Sequence, residues 1–587
     1  MSRLDYRLRY LLQDSERRKV IETKQSRLRA LLRYRGDLKN LETLGFEKTS
    51  VAGDVAAGFV TLEALERLAN DPNVISIESS RPLKKELDTT AIEVDVVSLR
   101  EKLDQRNIPC RGSGVIVGVV DSGFDFTHPC FLDNGQTRIL AFWDQNQDAS
   151  EIAPTGFNYA PPQGFGYGVE YGQELIDAAL QSADPLQVIP HARQNHGTRV
   201  ASIAAGNGAQ SPPPNQFIGM APKADLIFVS YNAEGQLGDS AFALDAINYI
   251  IEKARDYDKP VVINVSQGDN FGPHDGTSLL ERAIENQLSQ PGVAIVKSAG
   301  DEADAQRHAS GQVLQGQEFQ IEFEITANHE EDTFDIWYET RDRFDVLIES
   351  PNGTRTAPVA PETEVQLQLA NGNEVYICSQ LNHPDNHDNR INIILGNGAN
   401  GTIEHGKWKL VLMGTNAEYG GVHVWIDKTS NHATFTSPDR YWTVTIPGTS
   451  TRVITVGGYI SKGNFNGVGD LLPASSPGPT RDGRTKPEIT APGFDLTTAV
   501  ALDASGVLYR GQPPGNSGTS FSAPHVSGVI ALLFEKNRDL TQDDIRNILF
   551  DSADQDDFTG IVPNVNWGYG KLNAESAYDA LSEWENA

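Results

Sequence analysis

Three stretches of this 587-residue chain carry side chains that could do chemistry together. "VVDSGFDFTHP" holds Asp121, "NHGTRVASIAAG" holds His196, and "NSGTSFSAPHVSGVIALLF" holds Ser520. A serine hydroxyl is a weak nucleophile. It needs a base within hydrogen-bond reach, and an imidazole base needs a carboxylate to fix its tautomer and to stabilise the charge it gains. A serine at a helix start also has free N–H groups and the positive end of the helix dipole beside it, where an oxyanion would form. Each motif alone has a plain reading: Asp-Ser-Gly as a turn, His-Gly-Thr as a loop, a serine-rich helix start as an N-cap. Together, in the order Asp, His, Ser, they fit one of the known chain orders of such a triad.

The elements that would position them are legible as apolar runs of strand length. "GVIVGVVDSG" ends on Asp121, and "DLIFVSYN" (225–232), "PVVINVSQG" (260–268) and "GVAIVKSAG" (292–300) follow, two of them trailed by amphipathic helical patterns. Buried strands alternating with helices predict a doubly wound parallel sheet with helices on both faces, an α/β fold. In such sheets functional groups gather at the carboxyl ends of strands, where Asp121, Ser266 and Asp301 all fall. Between residues 302 and 430 the rhythm changes to period two. Eight short segments, "EFQIEFEIT" to "GVHVWID", are separated by turn signals such as "PNGT" and "GNGANG". They predict an inserted β-sandwich of jelly-roll kind. The expected domains are an N-terminal α+β module (1–100), the two parts of the α/β domain (104–301 and 431–582), and the insertion (302–430). Within the module, "TLEALERLAND" reads as a helix and "VISIESS" as a strand, while "SRLRALLRYRG" shows helical periodicity. Residues 1–35 carry eleven Lys/Arg against four Asp/Glu, expected either as a solvated helix face or as a basic segment docking on the acidic body.

Composition excludes several classes. Lys+Arg of 49 against Asp+Glu of 79 gives a net charge of −30, so nucleic acid and anionic membranes are poor partners. Three cysteines, Cys110, Cys130 and Cys378, make neither a disulfide framework nor a zinc motif. No apolar run approaches the ~18 residues of a membrane helix. The N-terminus lacks the apolar core of a signal peptide, so the expected location is cytoplasmic, a non-standard export route aside.

"DSG", "HGTRVA" and "GTSFSAPHVSG" resemble the three signature blocks of subtilisin-like serine proteases, the subtilases. "GMAPKADLIFVS", "INVSQG", "KPEITAPG" and "WGYGKLNA" are similar to further blocks of that fold, over roughly 104–301 and 431–582. "RILAFWDQ", "GFGYGVEY" and the position of the insertion are similar to the Csp branch. The resemblance implies peptide-bond hydrolysis of protein or peptide substrates. It makes Asp121 the residue that orients the base, His196 the general base and acid, and Ser520 the nucleophile. Ser266, Gln267 and Gly268 match the strand that lines the first substrate pocket, with Gln267 suggesting a cleft less apolar than usual. Residues 45–86 are similar to a propeptide, implying an intramolecular inhibitor and loss of about the first 90–105 residues on activation. No cofactor is expected. Calcium is possible by resemblance but has no assignable acidic loop. His128 and His525 are expected to pack, and "NHPDNHDN" (382–389) to form a polar hairpin tip.

One position departs from the family. Where most subtilases carry Asn in "AGN", donating to the oxyanion, this chain has Asp301 in "AGD". Such a donor is worth about 10²–10³ in rate. Three readings stand: Asp301 donates as a neutral acid, similar to the Asp of sedolisins; the backbone N–H of Ser520 does most of the work and the enzyme is slow; or the site binds without cutting. Because His196 must be neutral to act as base, the first reading implies a narrow, mildly acidic optimum.

Overall fold

The computed structural model describes residues 27–79 and 109–584, except 153–155, 212–216, 232–239, 327, 429–431, 463–466 and 512–516. Of the remainder it describes residues 3–5, 8, 9, 12, 84, 85, 93–96 and 99.

The N-terminal module is a four-stranded antiparallel sheet with a helix on one face. Its elements are β1 (Leu28–Tyr34), β2 (Phe46–Ala52), β3 (Val55–Val60), α1 (Leu62–Asn70) and β4 (Val74–Ser79), in the order β2-β3-β1-β4. Thr61 caps α1, its hydroxyl accepting from the Ala64 N–H at 3.2 Å. The helical periodicity of "SRLRALLRYRG" is corrected here: β1 is a central strand. Leu28, Ala30 and Leu32 face the module's own core, while Leu31 packs into the core of the neighbouring domain. A strand apolar on both faces satisfies a 3.6-residue pattern as well as a two-residue one, and tertiary burial decides between them.

The large domain is built on an eight-stranded sheet. Its strands are β6 (Ile116–Asp121), β7 (Ile139–Asp144), β8 (Val169–Gly172), β9 (Asp225–Ser230), β10 (Val261–Val265), β12 (Val293–Ser298), β13 (Ile454–Tyr459) and β14 (Ile489–Pro492). Their order is β8-β7-β9-β6-β10-β12-β13-β14, parallel throughout except for the edge strand β8. Helices α2 (Asn195–Ala205) and α5 (Ala523–Lys536) cover one face and α3 (Ser240–Asp256) and α4 (Leu279–Gln287) the other. The continuous apolar sequences of β6, β9, β10 and β12 follow from that burial on both faces. Two residues beyond β10, the short strand β11 (Gln267–Gly268) leaves the sheet and pairs antiparallel with β5 (Lys84–Lys85), which follows the module.

The insertion is a sandwich. All eight expected segments are strands, joined by His308–Gln312 and Ala433–Phe435. Six strands form one antiparallel sheet and four the other, around a core that includes Phe323, Phe334, Ile336, Trp408 and Leu410. From His308 to Glu349 the chain alternates between the two sheets, and residues 364–396 then add three successive strands to the six-stranded one. Among the described residues no helix is long and apolar enough to cross a membrane.

Candidate active site

Asp121 closes β6 at the centre of the sheet and is fully buried. Its Oδ1 accepts the Ser122 N–H at 2.7 Å, which holds the carboxylate in the plane of the loop. His196 lies in the first turn of α2, and its Nδ1 sits 2.6 and 2.7 Å from the two Asp121 oxygens. A carboxylate only accepts, so Nδ1 carries the proton and Nε2 is left as the base. The approach of α2 is set by Gly197: a Cβ there would stand 2.5 Å from the Gly123 carbonyl oxygen. A side chain would push His196 off Asp121.

Ser520 lies in a single 3₁₀ turn, Thr519–Phe521, that leads into α5, with Pro524 in the first turn where its missing N–H costs nothing. The turn is pinned to the strand beside it. Ser266 Oγ donates to the Ser520 carbonyl at 2.9 Å, and Ser520 Oγ lies 3.3 Å from the Ser266 carbonyl. Asn264 Nδ2 donates to Ser266 Oγ at 2.9 Å, and Ser527 of α5 donates to Asn264 at 3.0 Å. Helix α2 packs against both α5 and the Ser520 turn, and the His196 ring stands 5.4 Å from that of Phe521. Asp121 and His196 thus meet at the carboxyl edge of one sheet, and the turn that carries Ser520 packs against α2 beside them. The arrangement can deprotonate a hydroxyl and stabilise the imidazolium that results.

Asp301 stands three residues past β12, and its Oδ1 accepts the Thr519 N–H at 3.0 Å. An asparagine in the same place would use its carbonyl oxygen for that bond and would carry an amide donor where the carboxyl group has its second oxygen. Gln267 turns inward, fully buried, and its Oε1 accepts from the Tyr231 hydroxyl at 2.9 Å, so it is part of the wall rather than an open cleft surface. Gly268 pairs with Lys84 and Gln267 with Lys85, so the chain's own segment occupies the strand expected to take substrate.

His128 Nε2 bonds the Leu508 carbonyl at 2.9 Å and its Nδ1 lies 3.0 Å from Cys130 Sγ, a packing role. His525 is buried in α5, with Nδ1 2.7 Å from the Phe521 carbonyl. The 382–389 loop is a junction of ion pairs. Asp385 meets Arg33 of the module and Arg282 of α4, and Asp388 meets Arg481. The described residues contain no group of three or more His, Cys, Asp or Glu placed to hold a metal. Cys110 and Cys378 are buried free thiols like Cys130. Within the described part of the basic N-terminal segment, Arg9 reaches Glu364 of the insertion at 3.3 Å. Arg29 forms a buried pair with Asp245 of α3, a carboxylate that also accepts from Thr49 and Tyr167. Burial lowers Arg29 to about 10.

Sequence reasoning missed a second Asp–His pair. Asp144 ends β7, and its Oδ2 is 2.5 Å from His191 Nδ1, while His191 Nε2 accepts the Phe124 N–H at 3.2 Å. The available signal was "FWDQ", an apolar strand ending on an acid as β6 does.

Residues 112–319 and 396–570 match the model of the subtilase family. Serine protease AprX of Bacillus subtilis (strain 168) is 32% identical over 142 residues, covering 23% of this chain and 31% of AprX. The C5a peptidase of Streptococcus pyogenes serotype M1 is 23% identical over 458 residues, 72% of this chain and 34% of that protein. The chain thus spans about a third of the length of these curated relatives. The solved structure of the Clostridium perfringens CspB protease superposes with a TM-score of 0.72 at 27% identity, covering 84% of this chain and 98% of that one. With the family model matched over more than half of the sequence and the same architecture in a solved relative, this chain belongs to the subtilase family.

Proposed function

We propose that the protein is a serine endopeptidase that cleaves peptide bonds through an acyl-enzyme on Ser520, with its N-terminal module as intramolecular inhibitor and first substrate. The contact of His196 Nδ1 with Asp121 carries the catalytic reading, because it fixes the tautomer in which Nε2 is basic. In this scheme Nε2 takes the Ser520 proton as Oγ attacks the carbonyl carbon, then returns it to the leaving amine. Water deacylates the serine by the same path reversed. The Ser520 N–H and Asp301 face the developing oxyanion. A neutral Asp301 donates from the oxygen that replaces the amide nitrogen. No cofactor enters these steps.

The pairing of β5 with β11 supports self-processing. Lys84 lies opposite Gly268 and Lys85 opposite Gln267, so the segment runs toward Ser266 and the nucleophile in the direction of a substrate's acyl half. Strand addition of this kind recruits extended peptides by backbone hydrogen bonds. The register favours a processing point just past Lys85 over the 90–105 span suggested by where the domain core begins.

The second reading is a weak or inactive subtilase that binds without cutting. It is favoured by Asp301, since an ionised carboxylate at that place repels an oxyanion. Intact-mass analysis after fluorophosphonate treatment, beside Ser520→Ala, separates the two. A single adduct on Ser520, with loss of the module in the wild type only, is expected. A full-length unlabelled chain from pH 5 to 9 would sink the protease reading.

A further inference from the structure

The Asp121 loop is held from two sides. On one side β9 grips it: the Tyr231 N–H donates to the Asp121 carbonyl at 3.0 Å, and Ser230 Oγ donates to the Ser122 carbonyl at 3.2 Å. On the other side runs the segment before α2, residues 190–194. Ser122 Oγ donates to Gln194 Oε1 at 3.3 Å, and the Phe124 N–H donates to His191 Nε2 at 3.2 Å. Phe124 is buried, so its N–H needs an acceptor inside the protein. That acceptor is an imidazole, which accepts at Nε2 only when it is neutral with its proton on Nδ1. Asp144, 2.5 Å from Nδ1, imposes that form. The pair is buried and its own frame is fixed. Asp144 Oδ1 accepts the Asn146 N–H at 3.0 Å, Gln147 Nε2 donates to the Pro190 carbonyl beside His191 at 3.0 Å, and the Phe142 ring stands perpendicular to the imidazole at 4.7 Å. The residues around Phe124 touch the helix that carries His196. The Asp125 N–H donates to Thr198 Oγ1 at 2.7 Å, and Gly197 leaves room for the Gly123 carbonyl. Residues 122–125 therefore set the distance between the end of β6 and the start of α2, and His191 holds the middle of that stretch.

We propose that Asp144 and His191 are positioning residues for the catalytic pair: by accepting the Phe124 N–H they keep the Asp121 carboxylate on His196 Nδ1. The proposal rests on the protease reading and adds to it two groups that act through Asp121. Without the acceptor a buried N–H is left unsatisfied, and the loop relieves that cost by moving. A shift on the order of 1 Å at the Asp121–His196 contact loosens the bond that fixes the tautomer, and misplacement of that size costs up to about 100-fold in rate. The strand expected to take substrate, Ser266–Gly268, follows β10 and is untouched by this change, so the loss falls on kcat rather than on KM. A glutamine at 191 offers both functions in one side chain, an amide N–H for Asp144 and a carbonyl oxygen for Phe124. A leucine fills the space and offers neither.

The test compares the full chain as wild type, His191→Leu and His191→Gln. Peptide hydrolysis gives kcat and KM, and ¹⁵N-labelled histidine reports the ring nitrogens of His196, assigned by their loss in His196→Ala. His191→Leu is expected to lower kcat by roughly 10- to 100-fold at unchanged KM, and to move the His196 nitrogens at alkaline pH toward a mixture of tautomers. His191→Gln is expected to restore kcat and the His196 signals to near wild type, a rescue that a merely space-filling role would not give. Equal kcat and equal His196 signals in all three chains overturn the proposal. So does a His191→Gln chain as slow as His191→Leu, or a loss that falls on KM alone. A wild type that neither labels with fluorophosphonate nor cleaves fails the protease reading, and the His196 signals then decide the positioning by themselves: unchanged in His191→Leu, they overturn it. Should His191→Leu fail to fold, Asp144→Asn keeps the shape and weakens the bond to Nδ1. It is expected to lose roughly 10-fold in kcat with the same drift of the His196 nitrogens, and wild-type values for both overturn the proposal.

Discussion

Two buried Asp–His pairs stand at the carboxyl edge of the same sheet. Asp121 and His196 join the ends of β6 and α2, and Asp144 and His191 join the end of β7 to the loop before α2. In both, a carboxylate fixes the proton on Nδ1. The difference lies at Nε2. His191 spends its lone pair on the Phe124 N–H, inside the loop that follows Asp121, whereas His196 faces the Ser520 turn. The pair as such is therefore a way of locking an imidazole, and what stands opposite Nε2 sets the two pairs apart. His191 is a positioning residue for the Asp121 loop.

The largest break in this comparison is expected from Asp121→Asn, which leaves His196 free to take the wrong tautomer. Peptide hydrolysis should fall by about 10⁴-fold. A loss no greater than that of Asp144→Asn would erase the distinction between the two pairs. A different buried aspartate, Asp245, tests whether such pairs can serve docking alone. Arg29→Ala strands that carboxylate at the contact between module and large domain, and unfolding measurements should show about 3–5 kcal/mol of destabilisation. Asp301→Asn sharpens the catalytic side by restoring an amide donor. Activity at alkaline pH should rise by up to about 10²–10³-fold, with the acid limb unchanged. An unaltered pH profile would remove Asp301 from the oxyanion site.

Histidines without a carboxylate partner give the next contrast. At the contact of the sandwich with the large domain, His274 stacks on Trp425 at 4.1 Å and His308 lies 4.7 Å from the same ring. His274 faces the Asn270 and Val444 carbonyls, near Asp335 and Arg481, and His308 faces the Asp439 carbonyl. Burial lowers both to about 4, outweighing those carbonyls. A lowered histidine binds its proton more readily in the unfolded chain. Its stabilisation is complete above the unfolded value near 6.5 and is lost as pH falls toward 4. The melting temperature should decline over that window, and His308→Phe should flatten the decline. The smallest effect is expected from Asp144→Asn, roughly 10-fold in kcat through the displaced loop, with the pH optimum unmoved. A shifted optimum would give that pair a part in proton transfer.

Much of the site was legible because chemistry of this kind needs fixed residue types at fixed local positions. Asp121 at a strand end, His196 at a helix start and Ser520 before a proline-initiated helix are each visible in a few residues. β1 was not legible. "LRALLRY" fits two periods, and only the packing of α3 and α4 on its second face selects the strand. The second Asp–His pair was equally hidden, since Asp144 and His191 are 47 residues apart with strand β8 and two helices between them.

The sequence by itself determined the parallel α/β sheet, the inserted strands and the net negative charge, and it singled out Asp121, His196 and Ser520 as candidates, because apolar period and local motif are properties of neighbouring residues. The tertiary structure decided which carboxylate meets which histidine and that β5 pairs with β11. It also decided that Arg29 of the module pairs with Asp245 of the large domain. Those facts depend on contacts between distant segments, and burial gives an arginine such as Arg29 its altered chemistry.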